Sequence, residues 1–347
     1  MTARPLRVAV AASAASAESA EFVVEAERLG ADAAWSAELW GYDALTPLGY
    51  LAARTSRIAL GTSIVQLGAR SPAMLAMSAM SLQQLSGGRF RLGIGASGPQ
   101  VMEGWHGVRF RRPVQATRET IEIVRLISRG DRLEYHGQVY DLPLPASQGR
   151  ALRSMAAPVH VPVYVAAIGP ANLRLTGELA DGWLGNTFIA ESAEVFLGPL
   201  RAGARLGGRT LADLDLQVPV AVEFTDDVDE AVARHSAGYA FTIGAMGSAT
   251  KNFYNEAFAR QGFGEQVAEV QRLWRDGRRD EAARLVPHEI GQKTNLLGTP
   301  AMITERIRLN RAAGVSTLSL KLDGPLRTRL DTLARVIDLV AEINRAG

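Results

Sequence analysis

Short apolar runs alternate with amphipathic segments along most of the chain, and the stretch from Arg57 to Pro99 shows the pattern clearly. The apolar run Ile58–Val65 predicts a strand that is buried on both faces. Pro72 then opens a segment whose apolar residues keep helical spacing as far as Leu85, before a Gly-Gly turn. A second extended run covers Phe90–Ile94. A strand, a helix and a second strand in this order require parallel pairing and a right-handed crossover.

The same alternation of strand and helix occurs eight times along the chain. The predicted strands are Arg7–Ala12, Ala33–Ser36, Ile58–Val65, Phe90–Ile94, Val161–Ala166, Trp183–Asn186, Leu216–Val222 and Thr317–Leu322. The predicted helices are Ser19–Leu29, Asp43–Thr55, Pro72–Leu85, Arg118–Arg129, Ala171–Ala180, Ser192–Leu206, one starting at Asp227, Ala301–Ala313 and Leu326–Arg345. This order predicts an α/β fold, a (β/α)8 TIM barrel with insertions. An open doubly wound sheet is the alternative, because periodicity alone does not establish closure.

Two segments depart from the repeat. Leu133–Leu142, with Gly137 at its centre, predicts a small hairpin outside the main sheet. Residues 238–287 do not match one β/α unit, because several glycines separate short helical pieces. We expect a helical insertion there, after the seventh strand. No Pro/Ser-rich linker or charge run divides the chain, so residues 1–347 are expected to form a single domain.

Composition limits the class of protein. With 347 residues, of which 47% are apolar, the chain is long enough for one large domain. No apolar run approaches the roughly 20 residues that a membrane span needs, and Leu6–Ala12 is better explained as a strand than as part of a signal peptide. The chain has no cysteine, which removes disulfides, thiolate catalysis and Cys-ligated metal sites. A cytoplasmic location is expected.

The charged residues argue against nucleic-acid binding. The net charge is only +2, and only three of the 38 basic residues are lysines (Lys251, Lys293 and Lys321). The arginines are scattered among acidic residues without a basic stripe, although a small anionic ligand remains compatible. The five histidines have no metal-ligand spacing, so we expect no metal site.

Unusual loops follow two neighbouring strands, at 62–71 and 95–107, and the carboxyl ends of parallel strands are where ligands bind. Gly93–Gly98 satisfies the dinucleotide pattern GxGxxG, but its context fails. We expect that Pro99 does not open a helix directly, and no acidic residue ends a strand about 20 positions on. A loop this rich in small residues is nonetheless suited to present backbone N–H groups to a phosphate.

Three candidate catalytic residues lie at the same edge. Glu103 and His106 share the loop after the fourth strand with Trp105, so an acid, a base and an aromatic side chain occur together. Glu38 follows the second strand near Trp40, although it could instead pair with an arginine. A glutamate shielded by either indole would have a raised pKa and could donate a proton.

Three segments together resemble the luciferase-like flavin and deazaflavin oxidoreductases over nearly the whole chain. They are AERLGADAAWSAELWGYDALTPLGYLAARTSRIALGTSIVQL, LSGGRFRLGIGASGP and VPVYVAAIGPANLRLTGELADGWLGN. Members of that family are (β/α)8 barrels with insertions that bind FMN or the deazaflavin coenzyme F420. The resemblance implies coenzyme F420 as cofactor, with FMN as the alternative, a small-molecule substrate and a homodimer.

Several details resemble the F420 branch that includes methylenetetrahydromethanopterin reductase. Gly61–Ile64 resembles a strand bulge in which a non-prolyl cis peptide, here Ser63–Ile64, lies behind the deazaflavin ring. Ser97–Gly107 resembles the loop after the fourth strand, Ala166–Pro170 a loop at the cofactor phosphate, and 244–254 that branch's insertion. The cofactor residues implied are Ser63, Ile64, Gln66, Ala96, Ser97, Gly98, Gln100, Val101, Ala166, Ala167, Ile168 and Gly169.

Two departures bear on the substrate. Relatives that act on sugar phosphates have an Asp-His pair where this chain has Ala37-Glu38, which argues against glucose 6-phosphate. The loop Ala12–Ala20 lacks the aromatic and polar residues of relatives, so a proton donor from the first strand is not supported.

The resemblance thus implies an F420-dependent oxidoreductase that moves a hydride between the deazaflavin C5 and an organic substrate, reducing a C=C or C=N bond. Glu103 or His106 is the expected proton donor, with Glu38 second. The pocket is expected at the carboxyl ends of the strands, lined by the loops after strands two to five and by residues 238–287. The alternatives are an FMN-dependent monooxygenase supplied by a partner reductase, and a non-catalytic barrel that binds a phosphorylated ligand.

Overall fold

The structure, a computed structural model that describes residues 4–12, 16–246 and 252–346, contains a ring of parallel strands surrounded by helices. Its strands are β1 Arg7–Ala11, β2 Ala33–Ser36, β3 Ala59–Thr62, β4 Val65–Gln66, β5 Phe90–Gly95, β6 Tyr135–His136, β7 Asp141–Leu142, β8 Val163–Ala166, β9 Gly182–Leu184, β10 Asp215–Phe224, β11 Leu296–Gly298 and β12 Thr317–Lys321. Its helices are α1 Ala17–Leu29, α2 Leu45–Arg54, α3 Pro72–Leu85, α4 Pro99–Gly104, α5 Pro113–Ser128, α6 Pro170–Leu179, α7 Glu194–Leu206, α8 Val228–Ala245, α9 Phe253–Phe258, α10 Gly264–Arg275, α11 Arg279–Arg284, α12 His288–Lys293, α13 Pro300–Ala312 and α14 Leu326–Ala346.

The sheet closes on itself. Around the ring the order is β1, β2, β3, β5, β8, β9, β10 and β12, and the last strand pairs with the first at Thr317 and Arg7. Strands β9 and β10 pair at Gly182 and Asp215. The (β/α)8 barrel is therefore confirmed, and the open doubly wound sheet is excluded.

Two elements differ from the sequence predictions. Pro99 does open a helix directly, so the expectation that it would not is wrong: Pro99 occupies the first turn of α4, where its missing N–H costs nothing. The closed barrel, and not the lack of a helix, is what rules out a dinucleotide-binding Rossmann fold. The strand β11 was not predicted either; it extends the sheet beside the end of β10, Val222–Phe224.

The segment after β10 is helical, as expected, but its first helix is longer than the glycine pattern suggested. Helix α8 continues through Gly238 and Gly244 to Ala245. A Cβ atom at Gly244 would lie 2.2 Å from Cγ of Trp274 on α10, so this glycine allows two helices to approach and does not break α8. Helices α8 to α12 share an apolar cluster of their own. Gly247 and Lys251 lie outside the described residues, as do residues 13–15 of the loop after β1.

The interior of the barrel is filled by side chains. Trp35 and Tyr164 pack against each other with ring centroids 5.2 Å apart, beside alanines from β1 and β2. A Cβ at Gly61 would lie 2.3 Å from Cζ3 of Trp35, and one at Gly182 would lie 2.2 Å from Cε1 of Tyr164, so both glycines make room for the rings. Because the interior is packed, a ligand has space only above it, at one end of the barrel.

Candidate active site

The loop after β2 is held by an ion pair between Glu38 and Arg70. The two guanidinium nitrogens of Arg70 donate to the two carboxylate oxygens of Glu38, at 2.7 and 2.8 Å. The Ala44 amide donates to the same carboxylate, and Glu38 is buried. The hydrogen bond with Glu38 raises the pKa of Arg70 against the opposing effect of burial. Both carboxylate oxygens of Glu38 thus accept hydrogen bonds from Arg70. This is the pairing with an arginine that the sequence analysis gave as the alternative role of Glu38.

Gln66 and His106 connect the loops after β2, β3 and β5. The side-chain Nε2 of Gln66 donates to the carbonyl oxygens of Glu38 and Leu39, each at 3.1 Å. Its Oε1 consequently faces Nε2 of His106, 2.7 Å away. Since an amide oxygen only accepts, Nε2 of His106 carries the hydrogen in this contact. The other ring nitrogen, Nδ1, is then where His106 can gain or lose a proton.

Glu103 and the two tryptophans lie on the solvent side of the same edge. Glu103 is exposed, and its Oε1 accepts the Phe110 amide at 3.0 Å. The side chains of Trp40 and Trp105 are 49% and 64% exposed. The shielding of a glutamate by an indole, which the sequence left as a condition, is absent at Glu103.

The peptide bond between Ser63 and Ile64 is cis, as the resemblance predicted. It lies between β3 and β4, where Ile64 packs at the end of the cluster that contains Trp35. A Cβ built at Gly95 would have Ile64 Cγ1 at 3.0 Å and Ala166 Cβ at 3.5 Å. Three predicted cofactor residues, Ser63, Ile64 and Ala166, are thus brought together at the carboxyl end of the barrel.

The loop after β5 turns at once into α4. Ser97 has a φ of 60°, in the left-handed region that few residues other than glycine adopt. Ala96, Ser97 and Gly98 are half-buried, and Gln100 is exposed. The amide of Val101 donates to the Gly98 carbonyl at 3.2 Å, so Val101 is engaged within α4 and is a poor donor to a phosphate.

The loop after β8 ends at an open helix N-terminus. Gly169 is the N-cap of α6 and provides no side-chain cap, and a Cβ built there would meet nothing within 4 Å. Ala167 is fixed below it, because its carbonyl accepts the indole N–H of Trp183 at 2.8 Å. An uncapped helix N-terminus with open space in front of it can receive an anion.

Two residues of the insertion contact these loops, and no sequence pattern pointed to either. Arg260 donates from Nη2 to the Ile168 carbonyl at 2.6 Å, while its Nε is buried without a hydrogen-bond partner. Burial lowers the pKa of Arg260. Gln261 donates to the Thr187 carbonyl at 2.8 Å, in the loop after β9. Their partners are 92 and 74 residues away along the chain, so no local pattern marks them.

Two cavities lie at opposite ends of the barrel. The one at the carboxyl ends has a volume of about 300 Å³ and is formed by β10, β12, the loop after β9 and the helices α8 and α9. A shallower groove of about 480 Å³ lies at the other end, between α5 and the segment before β8. The cavity at the carboxyl ends confirms the predicted end of the barrel and the contribution of residues 238–287, but the loops after strands two to five, which were also predicted to line it, do not. The loops after β2 and β5 carry the exposed side chains of Trp40 and Trp105.

Neither metal ligation nor a membrane span is indicated within residues 4–12, 16–246 and 252–346. No three His, Asp or Glu side chains are grouped closely enough to hold a metal ion in these ranges. Nor does any helix there combine the length and apolar character that crossing a membrane requires.

The amino-acid sequence matches the family model of the luciferase-like monooxygenases over residues 3–317. The chain belongs to this family. A Mycobacterium tuberculosis protein assigned to the coenzyme F420-dependent oxidoreductases is 38% identical over 311 residues, which cover 86% of this chain and 89% of that protein. The 5,10-methylenetetrahydromethanopterin reductase of Archaeoglobus fulgidus is 26% identical over 85% of this chain and 86% of its own length.

A solved structure extends the family assignment to the fold. The coenzyme F420-dependent tetrahydromethanopterin reductase from Methanopyrus kandleri superposes with a TM-score of 0.79, over 98% of this chain and 99% of that one, at 22% sequence identity. At this identity the likeness concerns the fold alone.

Proposed function

We propose that this luciferase-like protein is a coenzyme F420-dependent oxidoreductase that reduces a C=C or C=N bond of a small organic substrate. The observation that carries the proposal is the 38% identity to the mycobacterial relative, which extends over 86% of this chain and 89% of that protein. The Archaeoglobus reductase supports the same cofactor class over a similar share of both chains.

The cytoplasmic location and the homodimer stay predictions. The exposed apolar side chains Met74 and Met77 on α3 suit a subunit contact.

The residues after β8 fit the phosphate of such a coenzyme. The uncapped N-terminus of α6 offers backbone N–H groups, and Gly169 leaves the space in front of them open. Arg260 adds a positive charge next to this loop, with its buried Nε unpaired. A bound anion would offset the cost of burying that group. We therefore assign Ala167, Ile168, Gly169 and Arg260 to the phosphate, with Ala96, Ser97 and Gly98 on the neighbouring loop.

The ring of the coenzyme would lie above the packed barrel interior, against Ser63, Ile64 and Ala166. These residues expose a mainly apolar surface at the carboxyl ends of β3 and β8. When bound, the reduced coenzyme supplies a hydride. The protein must orient the ring, exclude water from it and deliver a proton.

Among the three predicted donors, His106 has the geometry for proton delivery. Gln66 fixes its Nε2–H and thereby orients the ring, so Nδ1 is left to carry the transferred proton. Glu38 is occupied by Arg70. Glu103 stays a candidate only if the loop after β5 moves, since it is exposed. We propose His106 as the donor, with Gln66 as its positioning residue.

The cofactor assignment is tested by titrating the purified protein with F420 and with FMN and following the fluorescence of each. F420 should bind at least about tenfold more tightly, a difference of about 1.4 kcal/mol. Gly169→Val should weaken F420 binding by a similar factor, because its Cβ, which meets no atom within 4 Å, would enter the open space before α6. Gly41→Val is the matched control, since a Cβ there also meets nothing within 4 Å.

The alternatives give different outcomes in the same experiment. Tighter binding of FMN, with oxygen-dependent turnover when reduced FMN is supplied, would identify an FMN-dependent monooxygenase instead. Binding of F420 without oxidation of F420H2 by any of a panel of enones, enoates and imines would support a non-catalytic barrel. If Gly169→Val and the parent bind F420 with equal affinity, the coenzyme phosphate does not bind at this loop.

A further inference from the structure

The cavity of about 300 Å³ lies on the other side of the barrel mouth from the proposed phosphate site. Its walls come from β10, the carboxyl end of β12, the loop after β9, and the helices α8 and α9. In the ring of strands β9 separates β10 and β12 from β5 and β8, and the loop after β9 lines the cavity. Gln261 fixes that loop at the Thr187 carbonyl. The cavity is thus adjacent to the proposed coenzyme site but distinct from it.

Lys321 is the last residue of β12 and lines this cavity. Among the residues that the structure describes, its ammonium has no ion pair and no hydrogen-bond acceptor; Asp323 acts on it only as a more distant charge. The side chain of Lys321 is exposed and accessible from the cavity, and partial desolvation by the neighbouring protein lowers its pKa. An unpaired ammonium in the wall of a cavity is available to pair with an anionic ligand.

Tyr254 and His235 add unpaired polar atoms to the same walls. No hydrogen bond is present for the Tyr254 hydroxyl within the described part of the chain, and burial raises the pKa of that hydroxyl. Nε2 of His235 is buried without a hydrogen-bond partner, with the nearest carboxylate, that of Glu223, at 3.8 Å. By contrast, the neighbouring Tyr239 hydroxyl is satisfied by Asn295, whose Nδ2 donates to it at 2.7 Å.

The charge of the cavity has one sign. Among its described lining residues Lys321 carries a positive charge and none is an aspartate or glutamate, and the carboxylate of Glu223 is already paired with Arg234. Phe188, Phe241 and the other apolar lining residues occupy the remaining wall. A site with one free ammonium, free hydroxyl and imidazole groups and an apolar wall is complementary to an amphipathic anion.

We propose that this cavity binds the acidic end of the substrate, a carboxylate or a phosphate ester, with Lys321 and Tyr254 as its direct partners. That the bound anion is the substrate of the reduction rests on the proposed function, whereas anion binding by the cavity does not. Lys321 provides the charge and Tyr254 a hydrogen bond, while Phe188 and Phe241 contact the hydrocarbon part. The substrate would enter from the β10–β12 side and present its reducible bond towards the coenzyme.

Binding of simple probes tests the cavity without knowledge of the substrate. The dissociation constants of benzoate, phenyl phosphate and benzamide are measured by isothermal titration calorimetry, with and without F420. The parent protein should bind at least one anion about tenfold more tightly than benzamide. Lys321→Met should weaken anion binding about tenfold, the equivalent of one charge-assisted hydrogen bond, and leave benzamide within about twofold. Tyr254→Phe should weaken it about threefold in the same way.

Lys293→Met is the matched control, because it removes the same charge from a lysine that does not line the cavity. Its anion affinity should equal that of the parent. Circular dichroism establishes whether each variant is folded. If Lys321→Met does not fold, the anion affinity of Tyr254→Phe tests the proposal.

Three results would overturn the proposal. They are equal affinity of the parent for benzoate, phenyl phosphate and benzamide, no binding of any probe, and unchanged anion affinity in both cavity variants. A loss of F420 affinity in Lys321→Met without a loss of anion affinity would assign the lysine to the acidic tail of the coenzyme, which also contradicts it. Anion binding by a parent protein that does not bind F420 would contradict the proposed function alone.

Discussion

At the scale of single residues, position along the chain identified the edge of the barrel but not the partners of each side chain. Glu38 and His106 both follow strands and both lie at the predicted edge. What distinguishes them is Arg70, 32 residues from Glu38, and Gln66, 40 residues from His106. Neither contact has a local sequence pattern. The residue types of the site were therefore predictable, whereas the roles that hydrogen bonding gives them were not.

Proton supply can be tested at these residues by single-turnover oxidation of F420H2 with an acceptor found in the panel above. His106→Asn should slow the reaction by about 10²-fold, since it removes a general acid, and leave the F420 dissociation constant unchanged. Gln66→Leu should reduce the rate less and displace the pH profile, because it frees His106 to adopt the other tautomer. Glu103→Gln, the control on the same loop, should keep the parent rate.

A parent-like rate and pH profile in His106→Asn would show that the proton comes from elsewhere. A defect in Glu103→Gln as large as that expected for His106→Asn would instead indicate that the loop after β5 closes over the substrate and buries Glu103.

At the scale of elements, apolar runs located all eight barrel strands, because strands covered by helices must be apolar on both faces. The pattern failed where tertiary contacts override it. Helix α8 retains Gly244, since Trp274 of α10 needs the space. The strand β11 has only three residues and depends on pairing with β10. Short elements and helix crossings of this kind are set by neighbours that are distant in sequence.

The crossing of α6 and α7 illustrates such a contact and predicts a stability effect. A Cβ at Gly203 would lie 1.8 Å from the Arg174 carbonyl oxygen, and one at Gly177 would lie 2.0 Å from that of Leu200. Because each clash is with backbone, Gly203→Ala should force the helices apart and lower the free energy of unfolding by about 1–3 kcal/mol. Guanidinium chloride titration followed by circular dichroism measures the change.

Gly198→Ala on the same helix is the matched control. A Cβ there meets only Glu194 Oε2, at 3.8 Å. Alanine in a helix interior should then leave stability unchanged or raise it by up to about 1 kcal/mol. If both variants unfold at the same denaturant concentration, the close approach of α6 and α7 does not limit stability.

At the scale of the whole molecule, one carboxylate connects four of the barrel strands at the end opposite the site. Asp215, the first residue of β10, accepts hydrogen bonds from the hydroxyls of Tyr164 on β8 at 3.0 Å, Ser316 at 2.6 Å and Thr317 on β12 at 2.8 Å. Arg7 of β1 forms an ion pair with it at 2.6 Å. The strands that meet here include β12 and β1, where the first and last strands close the ring. In such barrels residues at the amino ends of the strands usually contribute to stability, whereas residues at the carboxyl ends carry the function.

Asp215→Ala should therefore destabilise the fold and leave ligand binding intact. The substitution removes the shared acceptor of three buried or partly buried hydroxyls, which should cost about 3 kcal/mol. In guanidinium chloride titrations Asp331→Ala, which alters an exposed carboxylate, should stay within about 0.5 kcal/mol of the parent. The F420 dissociation constant of Asp215→Ala, measured well below its unfolding transition, should equal that of the parent. A variant as stable as the parent would show that strand pairing alone closes the barrel, and a selective loss of F420 affinity would show that the two ends are coupled.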